Sequence, residues 1–154
     1  VRMTAVREAI LAAIEADGTL SAARGHGTLY RFDAGLLTRV RPMPKDCPAI
    51  ALWPVGIADR KIDDCDRTED AHELGFQIVD DQQDPARLES VLDALLAAIE
   101  SAWPTIRLAD AELVQIIAQQ TTLGFFEGMK EDPRPMWSAA GILHCDYELE
   151  PIEE

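Results

Sequence analysis

The stretch ELGFQIVDDQQDPARLESVLDALLAAIESAW, residues 73–103, places a strand directly before a long helix. Apolar and polar side chains alternate over 73–80, as they do in a strand with one buried face. The apolar members of this strand are Leu74, Phe76 and Ile78. A strand that leads straight into a helix predicts a sheet on which that helix packs.

The helix predicted over 85–102 has clear start and stop signals. Asp84 is placed to cap it, and Pro85 suits the first helical position, where its missing N–H costs nothing. Trp103-Pro104 is expected to end the helix. Six apolar residues at helical spacing give it one wide buried stripe: Leu88, Val91, Leu92, Leu95, Leu96 and Ile99.

Four further segments complete the predicted core. Residues 3–16 have helical apolar spacing, and 49–55 form a short apolar strand. Residues 113–123 and 136–149 predict two strands, and the turn-rich segment between them predicts an antiparallel hairpin. One more short strand is predicted over Leu36–Arg41, which brings the predicted strands to five.

These elements predict an α+β fold: one mostly antiparallel sheet with two main helices on one face. The 154 residues suit a single domain, which would bury about 70% of the unfolded chain's surface. Residues 18–35, 56–72 and 124–135 lack a clear apolar period and are expected to be flexible loops.

The charge of the chain is unevenly distributed. The whole sequence has a formal net charge of −14. Residues 1–61 contain nine Lys or Arg and six Asp or Glu, net +3, whereas 62–154 contain five and 22, net −17. So acidic a chain lacks the basic face that phosphate neutralisation requires, which disfavours nucleic-acid wrapping and anionic membranes.

Neither a membrane span nor a signal peptide is predicted. No apolar run approaches the roughly 18 residues that cross a bilayer, and the N-terminus has no signal-peptide core. We therefore expect a soluble chain made in a cytoplasm. Three cysteines without CxxC spacing disfavour a disulfide framework or a zinc ribbon.

We predict no catalytic residue, no metal site and no cofactor. His144 and Asp146 flank Cys145, but alternation in a strand turns the cysteine away from both. Glu148 would lie on the same strand face as His144 and Asp146. Three polar side chains are ordinary on a solvent-facing strand, so they do not require a bound cation. The acidic run around Asp63 lacks the spacing of a calcium loop.

Large apolar side chains occupy a predicted turn. Phe125, Phe126 and Met129 lie in a segment that carries two glycines and two prolines. They either fold back to complete the core or form an apolar anchor for another subunit.

The order of these elements resembles the tail terminator proteins of long-tailed bacteriophages, also called tail completion or minor tail proteins. The resemblance rests on four stretches: the helix VREAILAAIEADG, the segment RPMPKDCPAIALWPVG with the acidic loop after it, the strand and helix of 73–103, and the closing hairpin. Together these span most of the chain, and they match in pattern, not in a catalytic motif.

The resemblance implies a non-enzymatic virion protein that is assembled in the host cytoplasm. Such proteins form a ring, typically a hexamer, at the head-proximal end of the tail tube, where they stop tube polymerisation. The implied partners are other copies of the chain, the tail tube protein and the head–tail connector or neck protein. DNA passes through the ring without specific binding.

Two sets of residues are candidates for this role. The predicted subunit or tube interface comprises Arg39, Arg41, Arg60, Lys61, Phe125, Phe126 and Met129. The predicted acidic face that lines the lumen comprises Asp63, Asp64, Asp66, Glu69 and Asp70. An acidic lumen would repel phosphate and let DNA slide.

Three alternatives remain open from the sequence. The chain could be a different neck or connector protein of a phage. It could be a small acidic module or inhibitor that occupies a basic site on a partner protein. It could also be a small enzyme that uses a cysteine or histidine.

Arg39→Glu tests the basic half of the predicted interface. We expect this variant to impair ring formation with little effect on the fold, because it places a negative charge opposite an acidic neighbour. Sedimentation velocity would measure assembly, and unchanged assembly would remove Arg39 from the interface.

Overall fold

The computed structural model describes residues 2–25, 27, 29–31, 42–62, 68–109, 113–128, 130 and 133–147. Four helices and five strands follow one another in chain order: α1 (Arg2–Ala16), α2 (Gly18–Arg24), β1 (Leu29–Arg31), β2 (Ala49–Ile62), β3 (Thr68–Asp80), α3 (Ala86–Ser101), α4 (Trp103–Ala109), β4 (Leu113–Phe126) and β5 (Met136–Tyr147). None of these helices is long and apolar enough to cross a bilayer.

The five strands form one sheet in the order β1-β2-β3-β5-β4. The short strand β1 pairs with β2 in parallel, and the other three pairings are antiparallel. β4 and β5 form the predicted hairpin, so β4 is the last strand at one side of the sheet. The predicted α+β fold with a mostly antiparallel sheet is confirmed.

The main core lies between this sheet and the helices. The predicted β3 face is buried as expected, with Leu74, Phe76 and Ile78 at 1% exposure or less. They pack in one cluster with the stripe of α3 and with apolar residues of α1. Gly141 of β5 leaves space for Phe76, since a Cβ there would lie 2.8 Å from its ring.

A smaller cluster lies on the opposite face of the sheet. It contains Cys47, Ala49, Ala51, Val79 and Met136. Cys47 directly follows a short 3-10 helix, Pro44–Asp46. This segment covers part of the sheet face that lies opposite the helices.

The segment 18–35 is partly helical, which corrects the prediction of an irregular connection. Residues 18–24 form α2, because the carboxylate of Asp17 accepts a hydrogen bond from the Leu20 N–H at 2.8 Å and caps the helix. Leu20 is fully buried and anchors the helix in the core. The strand predicted over Leu36–Arg41 lies outside the described residues.

The predicted end of the long helix before Trp103-Pro104 is confirmed, but the pair does not stop helical structure altogether. α3 does end at Ser101, but a new helix, α4, begins at Trp103. Pro104 is tolerated because the first turn of a helix does not need its N–H. The buried Ile106 then fixes α4 to the core, and α4 packs against α1.

The loop predicted over 56–72 is largely a hairpin of two long strands. β2 extends to Ile62 and β3 begins at Thr68, so only the short connection between them lies outside the described residues. Strands can pair through their backbones even where apolar and polar residues do not alternate. In this register, the basic positions 60 and 61 lie opposite the acidic positions 70 and 69. Similarly, 124–126 continue β4.

Leu95→Ala is expected to lower the free energy of unfolding by about 2–5 kcal/mol, because Leu95 is 1% exposed in the main core. Leu92→Ala is the matched control on the same helix and should cost less, because Leu92 is only partly buried. Urea unfolding measures both values. Equal losses would contradict this packing of α3.

Candidate assembly surface

A buried ion pair joins the end of β3 to the first turn of α3. The carboxylate of Asp80 is 1% exposed and accepts two hydrogen bonds from Arg87, one of them from Nε at 2.8 Å. The hydrogen bond to Asp80 raises the pKa of Arg87 above its usual value. The helix begins at Ala86, one residue later than predicted, so Pro85 takes the cap position; the Asp84 carboxylate still accepts the Ala86 N–H at 2.9 Å. The strand-to-helix junction is therefore fixed by charged groups on both sides.

The same junction holds three potential metal ligands, from Cys47, Asp80 and Asp81, within 4.8 Å of one another. Both carboxylates already face arginines, since Arg134 Nη1 lies 4.0 Å from Asp81 and Arg87 binds Asp80. Burial, and then the charges of Asp81 and Asp80, raise the pKa of the Cys47 thiol to about 12. The contacts with the two arginines give both carboxylates a structural role at this junction.

The edge strand β4 carries the main exposed apolar surface. Six large apolar side chains of the described residues are exposed, and four of them lie on β4: Ile117, Leu123, Phe125 and Phe126. The register places Leu123 and Phe125 on the helix side of the sheet, opposite Ala139 and Trp137 of β5. A patch of this kind on an edge strand is typical of an interaction site.

Phe125 is held in place although it is 45% exposed. Its ring packs on Trp137, with the ring centroids 4.9 Å apart. The indole N–H of Trp137 in turn donates to the carbonyl of Gln83 at 2.8 Å, in the loop before α3. The ring of Phe125 therefore contacts the edge of the core and keeps about half of its surface exposed, and its role as an anchor for another subunit stays a prediction.

A groove of about 570 Å³ continues this apolar surface between the helices and β4. Leu96 and Ile99 of α3 and Trp103 of α4 form one wall, and Ile116 and Ala118 of β4 form the other. The groove exists because α3 contacts mainly β3 and β5 and covers the last strand only in part. The carboxylate-bearing Glu100 stands at its rim.

The predicted interface residues are only partly described. Phe125 and Phe126 lie at the end of β4, and Arg60 and Lys61 lie near the end of β2. These two pairs are in different parts of the sheet, since β2 and β4 are separated by β3 and β5. Arg39, Arg41 and Met129 lie outside the described residues.

Two of the predicted lumen residues, Glu69 and Asp70, lie near the start of β3, ahead of the residues that pair with β5. Asp63, Asp64 and Asp66 lie outside the described residues. Their role as a lumen surface stays a prediction.

Sequence reasoning missed the groove and the charged junction. Leu96 gave a signal for the groove, because it widens the apolar stripe of α3 and lines the groove in the structure. The pairing of Asp80 with Arg87 and of Asp81 with Arg134 had no comparable signal, since Arg134 is 53 positions away and reaches the junction only through the fold.

The fold is similar to that of a known virion protein. A chain in the structure titled "Virion of native gene transfer agent (GTA) particle" matches with a TM-score of 0.55 and 16% sequence identity. The match covers 92% of this chain and 93% of that chain, so the two share a fold over almost their whole length. No protein-family model and no curated protein sequence matches.

The buried thiol gives a pH prediction. The pKa of Cys47 is about 12 in the folded chain and about 9.0 for an ordinary thiol, so between these values the unfolded chain binds fewer protons than the folded one. The free energy of unfolding must therefore fall as pH rises from about 9 to about 12. Urea titrations of wild type and Cys47→Ala should show a steeper fall in wild type. Parallel curves would contradict the perturbed thiol.

Proposed function

We propose that this chain is a non-enzymatic structural protein of a phage-like virion. The observation that carries the proposal is the shared fold with a chain of the gene transfer agent particle over 92% of the sequence. The chemistry of the described residues agrees with this role. The charged side chains at the β3–α3 junction hold two elements together, and the exposed surface on β4 is apolar.

Within that class, we propose the role of a tail terminator. The chain would form a ring, with a hexamer as the expected number of copies, at the head-proximal end of the tail tube. The order of elements supports this role, because the strand, long helix and closing hairpin on which the resemblance rests are all present. The ring would contact the tail tube protein on one side and the neck or connector protein on the other.

The charge distribution supports a passage for DNA. Asp63, Asp64, Asp66, Glu69 and Asp70 belong to the segment that joins β2 to β3 or directly follows it. Six copies of a segment with five carboxylates would repel phosphate and keep DNA from binding the ring.

The basic and aromatic candidates would serve the contacts between proteins. Arg39, Arg41, Arg60 and Lys61 belong to the net-positive part of the chain, which suits an acidic neighbour. Phe125 and Phe126 offer half-exposed rings at the end of the β4–β5 hairpin, and Met129 follows them in sequence. Apolar anchors of this kind contribute most of the energy in many interfaces.

A second candidate is another neck or connector protein of the same particle. The matched structure is a whole virion, so likeness to one of its chains supports other structural positions as well.

A tail-length assay tests the terminator role. Particles are assembled with and without this chain, and the tails are measured by negative-stain electron microscopy. A terminator predicts tubes of variable and excessive length when the chain is absent, with normal length restored by adding it back. Tubes of normal length that fail only to join heads would support a connector role and contradict the terminator.

A further inference from the structure

The outer edge of β4 is open to backbone pairing over a short regular stretch. β4 is the last strand of the sheet, so its second edge meets no other strand of the described part of the chain. Its pairing with β5 is regular from Gln115 to Gln119, between two irregularities. The 14 residues of β4 include no proline and no charged residue, which are two of the usual means of protecting an edge. This stretch is therefore able to hydrogen-bond to an added strand.

The same stretch forms one wall of the α3–β4 groove, the space of about 570 Å³ between the helices and this strand. Ile116 and Ala118 lie at alternate positions and face the helices, because their partners on β5 belong to the main core. Alternate side chains of an added strand would point into the same space. Pockets of this volume enclose whole small ligands, so the groove has room for more than one apolar side chain.

The helix wall of the groove carries carboxylates. Glu100 is exposed and is the one charged side chain among the described residues that line the groove. It follows Leu96 by one helical turn, and the same stripe of α3 continues towards the start of the helix with Asp93 and Glu89, which are also exposed. The one basic residue of α3, Arg87, is bound to a carboxylate of the β3–α3 junction. This stripe therefore favours a ligand with basic side chains.

Charge disfavours two occupants that the chain itself could supply. Residues 148–154 contain four glutamates and no lysine or arginine, so they would place like charge beside the carboxylates of α3. A second copy that paired β4 with β4 about a twofold axis would bring two such stripes of carboxylates together. A segment of a different protein avoids both costs.

We propose that the Gln115–Gln119 edge of β4 and the α3–β4 groove receive an extended segment of a different protein as a sixth strand of the sheet. The backbone of this segment hydrogen-bonds to β4, its apolar side chains at alternate positions fill the groove, and a lysine or arginine pairs with Glu100. The inference goes beyond the proposed function, because it assigns a binding site and the chemistry of its ligand without depending on the place of the chain in a particle.

A random peptide library tests the chemistry of the ligand. Displayed nine-residue peptides are selected on the immobilised wild-type chain. The expected consensus alternates aliphatic with polar residues, includes lysine or arginine, and lacks proline at the pairing positions, because proline cannot donate to a strand ladder. No enrichment, or a consensus that is acidic or has helical spacing, would overturn the proposal.

Ala118→Phe tests the site with the most enriched peptide as the probe. Ala118 is exposed and lines the groove, so a phenylalanine there fills the space without opening the core. Thr122→Phe is the matched control, because Thr122 is exposed on the same strand and pairs with Ala140 on the face turned away from the helices. Thermal melting first establishes that both variants are folded.

Fluorescence anisotropy of the labelled peptide measures the dissociation constant. Ala118→Phe should raise it about tenfold or more, and Thr122→Phe should leave it within about twofold of wild type. Equal binding by Ala118→Phe and wild type would place the peptide elsewhere and overturn the proposal.

Glu100→Lys tests the charge and decides the question if Ala118→Phe does not fold. Wild type should bind the selected peptide more tightly than a version in which glutamate replaces each lysine or arginine. Glu100→Lys should lose this preference, whereas Glu15→Lys, which changes an exposed glutamate of α1 outside the groove, should keep it. An unchanged preference in Glu100→Lys would contradict the proposed pairing.

Amide hydrogen exchange distinguishes an added strand from a ligand held by side chains alone. The peptide should slow exchange within Gln115–Gln119, because the outward amides of β4 become hydrogen-bonded. Unchanged exchange in this stretch, with the peptide bound, would overturn the sixth strand.

Sedimentation velocity of the chain alone tests a second copy as the occupant. Self-association that Ala118→Phe abolishes and Thr122→Phe keeps would show that another copy fills the groove, and would overturn the proposal. These experiments use the isolated chain, so they are separate from the tail-length assay. Peptide binding in the groove together with tails of normal length would keep this inference and remove the terminator role.

Discussion

Burial of one face of β3 beneath α3 positions the rest of the molecule. Phe76 and its neighbours on that face have almost no exposed surface, and Gly141 of β5 makes room for the ring. The ion pair between Asp80 and Arg87 then holds the helix at a fixed angle to the strand that precedes it. Because α3 lies mainly over β3 and β5, the helix layer covers β4 only in part. The exposed edge follows directly from where the core is centred.

This arrangement separates the groups that hold the fold from those available to a partner. The charged side chains at the junction are paired with one another, and the Cys47 thiol is kept neutral by burial. Most of the exposed large apolar side chains lie on β4, beside the groove. A protein built in this way is suited to contact with other proteins, and its fold is similar to that of a chain in a virion structure.

Much of the fold was predictable because its signals are local. The alternation of Leu74, Phe76 and Ile78 and the Asp84-Pro85 start of α3 each depend on neighbouring residues, and the structure contains both elements. The hairpin of β4 and β5 was predictable for the same reason.

The predictions failed where tertiary pairing decides the structure. The polar strands after Val55 have no apolar period, and only their pairing across the hairpin makes them regular. A second helix, α4, begins at the residue pair where α3 was expected to end, because its Ile106 is buried in the main core. The groove depends on which strands α3 covers, which the sequence order does not specify. The predicted roles of the basic and acidic site residues stay predictions.

We propose that this chain occupies a fixed structural position in a particle. The most direct measurement is negative-stain electron microscopy of purified particles in which the chain carries a visible label. The account predicts a ring of label at the junction of tail and head. Label elsewhere on the tail or on the capsid would contradict the terminator role, and particles without any label would contradict a structural role in the virion.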